Sequence, residues 1–222
     1  GVVRFSSIVI ASVSATVVSR HYIGDFPAFV VPSFNIVNTY EIAIHALIGL
    51  AAGLIGVLFI VTLGTLRRNA KRIPVPAVLR PALGGLLVGA IGVFLPDIMG
   101  VGYHGINGAL EARLGLGLLA LLLLFKILAT ALTLGSGGSG GVFAPSLFMG
   151  ATFGGFCGLV VGQLFPGQVG DPGAYALVAM GAMVAATTRA PITAIIMMFE
   201  LTGSYRIILP MMAAAILATL LA

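Results

Sequence analysis

Charge is what this sequence has least of. Its 222 residues include 11 Lys and Arg and 6 Asp and Glu, together 8%, where a soluble domain is about a quarter charged. Tryptophan is absent and Cys157 is the single cysteine, so no intrachain disulfide can form and the redox compartment stays open. Cys157 reads as a small apolar residue at a helix interface. The 3 histidines, His21, His45 and His104, are widely separated and lack metal-ligand spacing. No nucleophile, base and orienting group assemble from the sequence, so it reads as neither an enzyme nor a metal or cofactor protein. No signal-peptide pattern opens the chain, which starts at Gly1 and stops within the apolar run AILATLLA. The expectation is a fragment or a processed chain.

What fills the sequence instead is apolar: 59% of residues are hydrophobic and the mean hydropathy is +1.18, values of the membrane class. A net charge of +5 does not point to nucleic acid, because the cations are not spread over a face. Arg67, Arg68, Lys71, Arg72 and Arg80 crowd into one polar loop, 67–80. The positive-inside rule makes that loop cytoplasmic.

Apolar runs at 2–20, 40–66, 76–94, 115–134, 146–165 and 207–222 read as membrane spans of a bilayer about 30 Å thick. The Ser, Thr and Ala content of the first argues for packing against other helices, and Arg4 and Arg20 stand near its ends, where they can snorkel. Residues 21–38 read as a non-cytoplasmic connector, and a short helix is expected over 106–111. Gly49, Gly53 and Gly56 in the second span, and Gly150, Gly154 and Gly158 in the fifth, suit close helix contact. Segments 174–187 and 191–201 are too short to cross alone and read as a helical hairpin or a discontinuous helix, with Thr187, Thr188, Arg189, Ala190 and Pro191 at the junction. Three charges stand out. Glu41 is expected to complement the start of its own helix. Lys126 lies mid-span, where a lysine costs about 2.5 to 3.5 kcal/mol, so it needs a partner or a pathway. Glu200, followed by Thr202, Gly203 and Ser204, reads first as the polar edge of its segment and second as a proton-handling group, and an ion pair between it and Lys126 is a further hypothesis.

The stretch LGSGGSGGVFAPS, 134–146, interrupts the apolar pattern. A spanning helix cannot hold its ladder through so many glycines, and backbone left unpaired in hydrocarbon is tolerable only against protein or a wet cavity. Pro145 belongs in a first helical turn, where its missing N–H costs nothing, which places a helix start near Val142. Such a start aims free N–H groups and about half a positive charge at whatever lies ahead, as in transporters that hold anions. Residues 135–140 also satisfy G-x-G-x-x-G, but the strand before it and the acid about 20 residues later are missing. A cation channel with a glycine-rich carbonyl filter and a non-transporting membrane assembly protein are the alternatives. The polarity of the break favours the anion.

GSGGSGGVFAPSLFMGA, 135–151, resembles the GxFxP signature of the CLC family of chloride channels and proton-chloride antiporters, with Gly141, Val142, Phe143, Ala144 and Pro145 in the signature. MGAMVAATTRAPITAIIMMFELTGSYRIILPMM, 180–212, is similar to the paired short helices and following span late in the same membrane domain. The resemblance covers essentially the whole chain. It implies an all-α bundle of tilted and broken helices, with 1–222 forming the second half of a CLC membrane domain, its C-terminal inverted repeat, and no soluble domain. It further implies a homodimer with one pathway per subunit, in which the first span and segments 191–201 and 207–222 contribute to the interface. The amides of Val142 and Phe143 would bind chloride or a related anion, with protons as the second species of an antiporter. The first-half serine loop and the gating and proton-transfer glutamates are expected before Gly1, and a pathway-lining tyrosine after Ala222.

Overall fold

The computed structural model describes residues 2–24, 29, 38, 40–203, 205 and 207–222, with side chains from residue 6 onward. All the described elements are helical: α1 (Val2–Ile23), α2 (Glu41–Ala70), α3 (Arg80–Phe94), a short 3-10 turn (Pro96–Ile98), α4 (Tyr103–Leu110), α5 (Leu116–Gly135), α6 (Phe143–Leu164), α7 (Pro172–Thr188), α8 (Pro191–Thr202) and α9 (Ile208–Leu221). Among the described residues, α2, α5 and α6 are long and apolar enough to cross a membrane. The connector expected over 21–38 lies mostly outside the described residues.

The bundle is assembled around α7. Every residue from Gly173 to Ala186 is buried, the signature of a helix that is apolar all round and covered on every side. The glycines of α6 run along it at backbone distance. A Cβ added at Gly150, Gly154 or Gly158 would lie 2.5 Å from Met180 Cα, 2.3 Å from the Tyr175 carbonyl oxygen or 2.6 Å from the Pro172 carbonyl oxygen. The glycines of α2 serve α9 similarly, with Gly49 and Gly53 set against the backbone of Ala214 and Ala218. The small-residue spacing therefore marks real helix contacts.

Several boundaries differ from the sequence reading. α2 runs on through Arg67 and Arg68, which form its last basic turn, so the basic loop shrinks to 71–79. Arginine is a good helix former, and its charge complements a helix C-terminus. α3 starts at Arg80 instead of at Pro76, and 76–79 forms a turn closed by Leu79 N–H to Pro76 O at 2.9 Å. Pro81 stands in the first turn of α3, where its missing N–H costs the helix nothing. With 15 and 14 residues, α3 and α9 are each about 21–22 Å long at 1.5 Å per residue and fall short of a full crossing. α4 begins earlier than the helix expected at 106–111, at Tyr103. α1 runs to Ile23, three residues past the expected 2–20 and into the expected connector, and its described side chains are exposed through Tyr22 and Ile23, so the packing anticipated for it is not made within this chain.

The α7–α8 hairpin forms as anticipated. Arg189 closes α7 in a left-handed conformation (φ 55), and Pro191 opens α8.

Candidate functional site

The interruption at 136–142 is a capped helix end followed by an uncapped helix start. α5 finishes with Ser136 N–H to Leu132 O at 3.0 Å, Gly137 N–H to Leu134 O at 3.3 Å and Gly138 N–H to Thr133 O at 2.9 Å. Gly137 has φ +99, as the glycine after a helix C-terminus commonly does. Three of the last four carbonyls of α5, those of Leu132, Thr133 and Leu134, thus accept bonds from the loop that follows. α6 has the opposite character. Val142 precedes it without a side-chain cap, and the first ladder bond is Ser146 N–H to Val142 O at 3.0 Å. The amides of Phe143 and Ala144 come before that bond and have no carbonyl within the helix to reach, while Pro145 has no N–H.

Two bonds fix this start in place. Ser146 Oγ donates to Val142 O at 2.7 Å and lies 2.9 Å from Thr187 Oγ1, and Thr187 in turn donates to Met183 O at 2.9 Å. The mouth of α6 is therefore pinned to the last turn of α7.

The start opens on a cavity of about 600 Å³. Gly140, Gly141, Phe143, Ala144 and Pro145 form one wall, and residues 98–101 with Lys126, Thr130 and Thr133 form the other. Val142 does not line that space. It faces a second cavity of about 680 Å³, shared with Ser136, Gly137 and Gly138 and with the basic residues Arg67, Lys71 and Arg80. The five signature residues are brought together, but between two cavities. Among the described residues, no carboxylate lines either one, and the charged side chains that do are Lys126 in the first and Arg67, Lys71 and Arg80 in the second.

Lys126 and Glu200 do not pair. Lys126 is 2% exposed, and its Nζ donates to Ile98 O at 2.9 Å and Gly100 O at 2.8 Å while lying 4.5 Å from the centre of the Phe148 ring. Glu200 is exposed at the edge of α8. Two carbonyls, one ending the 3-10 turn and one two residues beyond it, accept from the ammonium and compensate part of its burial without a distant carboxylate. The position of Lys126 in an apolar span signalled its importance, whereas nothing in the sequence pointed to those carbonyls.

Glu41 also does more than complement its own helix. It is 1% exposed and accepts from Tyr175 Oη at 2.9 Å, Gly170 N–H at 2.5 Å and Asn38 N–H at 3.3 Å. His45 stacks on the Tyr175 ring at 4.4 Å. This cluster joins the start of α2 to the start of α7 and stands apart from the two cavities. Among the described residues, no group of His, Cys, Asp and Glu could hold a metal ion.

A helical membrane bundle with an interrupted span whose amides open on a carboxylate-free cavity is an architecture of ion-pathway proteins. The chain belongs to the voltage gated chloride channel family, whose sequence profile matches residues 2–222. It is 41% identical over 209 residues to a putative chloride channel protein, ClcB-like, of Ralstonia nicotianae, covering 94% of this chain and 49% of that protein. It is 32% identical over 223 residues to the H(+)/Cl(-) exchange transporter ClcA of Vibrio cholerae, covering 97% of this chain and 47% of that one. Its fold matches that of a slow cyanobacterial Cl-/H+ antiporter with a TM-score of 0.83 at 28% identity, over 95% of this chain and 50% of the antiporter. The chain thus has a CLC-type helical fold and is an integral membrane protein, and it spans about half the length of these relatives. They are channels and transporters, not enzymes.

Proposed function

We propose that this chain forms one half of a transmembrane pathway for chloride or a related inorganic anion. The anion is held by backbone N–H groups at the start of α6, within 141–145. The observation that carries this reading is the pair of amides at Phe143 and Ala144, which precede the first ladder bond of α6 and open on a cavity of about 600 Å³ without a carboxylate. An anion that sheds water there gains charge-assisted N–H bonds and the positive end of a helix dipole. The amide of Val142 serves the same ion from the side of the basic cavity.

The rest of the pathway is supplied by a preceding half of the membrane domain, and two copies of the whole assemble as a homodimer. The basic loop lies in the cytoplasm. Relatives named as channels and as exchange transporters support passive conduction and proton-coupled exchange alike, and the second agrees with the fold match to an antiporter.

The test is anion flux from liposomes holding the full-length protein, with and without a pH gradient. Chloride efflux is expected, and proton movement stoichiometric with it identifies an exchanger. Potassium flux without anion flux would exclude the anion reading. The variant Phe143→Pro deletes one N–H near the ion and is expected to weaken chloride binding by about tenfold to a hundredfold in protein that stays folded, since a hydrogen bond to a charged group is worth about 1.5–3 kcal/mol. Unchanged affinity would remove that amide from the site.

A further inference from the structure

Among the described residues, Lys126 is the one charged side chain lining the cavity ahead of α6. It is 2% exposed, and its described partners are the carbonyls of Ile98 and Gly100 and the face of Phe148. No carboxylate is among them. Tying down a turn does not require a charge, because a neutral amide or hydroxyl donor can hold a carbonyl without the desolvation that an ammonium suffers at this depth. A buried cation lining the same cavity as the positive end of α6 gains from a negative ion held there.

We infer that Lys126 is a positioning and affinity-setting residue of the anion site. Its ammonium deepens the electrostatic well in front of Phe143 and Ala144, while its two hydrogen bonds hold residues 98–100 as the facing wall. The inference rests on the anion reading above and adds to it a side chain outside the glycine tract. The occupant it selects for is a small monovalent anion, since the cavity supplies one full charge and a helix end but no guanidinium fork for an oxyanion.

The experiment compares full-length wild type with Lys126→Gln, Lys126→Met and Lys126→Arg. Chloride binding is read by titration calorimetry, the chloride concentration for half-maximal flux in liposomes, and folding by thermal unfolding in detergent. The two neutral variants are expected to bind chloride about tenfold more weakly or worse, roughly 1.4 kcal/mol. Lys126→Arg, which keeps the charge, is expected to remain within about threefold of wild type, roughly 0.65 kcal/mol. A purely structural clamp would move thermal stability without this division by charge. Folded Lys126→Gln or Lys126→Met that binds like wild type overturns the inference, as does folded Lys126→Arg that binds as weakly as a neutral variant. In either case chloride binding by wild type, weakened by Phe143→Pro, leaves the anion reading standing. Wild type that neither binds nor moves chloride overturns both.

Discussion

At Gly154 a single methyl group would lie 2.3 Å from the Tyr175 carbonyl oxygen and 2.6 Å from Ala176 Cα. Both obstacles are backbone of the buried helix α7, so neither can step aside as a flexible side chain would. Gly154→Leu is expected to destabilise the protein by about 1–3 kcal/mol or more through overpacking. Thermal unfolding in detergent reads this, and an unshifted midpoint would mean that the two helices are not this close. A second residue works the other way. Ala112 follows α4 at φ 53, where an L side chain costs roughly 1–2 kcal/mol and glycine does not. Ala112→Gly should raise the unfolding midpoint, by about 1 kcal/mol of stability once the larger entropy of the unfolded glycine chain is set against the relief. A fall would show that the Ala112 methyl contributes packing worth more than its strain.

Among the elements, how much could be read in advance depended on which forces set each boundary. The glycine break, the start of α6 and the α7–α8 hairpin were all legible, because glycine and proline act locally through φ and the missing N–H. The end of α2 and the start of α3 were not, since Arg67 and Arg68 looked like loop residues by polarity although they close a helix favourably. Pro81 has the same letters whether it opens a helix or kinks one, and only its register decides. The candidate site was legible on one wall only. Gly141 to Pro145 stood out by pattern, but the carbonyls of Ile98 and Gly100, which receive Lys126, come from a turn 26–28 residues away in sequence and carry no side-chain signature. Glu41 was likewise read within its own helix, although its main donors belong to Gly170 and Tyr175, over a hundred positions on.

For the molecule as a whole, the distribution of charge makes a directional claim. Arg67, Lys71 and Arg80 gather around the cavity on one side of the break, while the Glu41 cluster ties α2 to the loop before α7 at the other end of α2. On the proposal that the basic end lies in the cytoplasm, Lys71→Cys in a Cys157→Ala background should be labelled by a membrane-impermeant thiol reagent only from the cytoplasmic side of intact cells or oriented vesicles. Labelling from outside would reverse the orientation. The exposed apolar side chains of α3, such as Leu86, Val93 and Phe94, would face lipid or the other half of the domain.

The seam between α6 and α7 has one more consequence. With main chain resting on main chain at Gly150, Gly154 and Gly158, and Ser146 latched to Thr187 at the far end, α6 cannot swivel while α7 stays still. On the proposed reading the amide mouth is an anvil held by α7, and a stroke that opens or shuts the pathway would come from parts that strike against it.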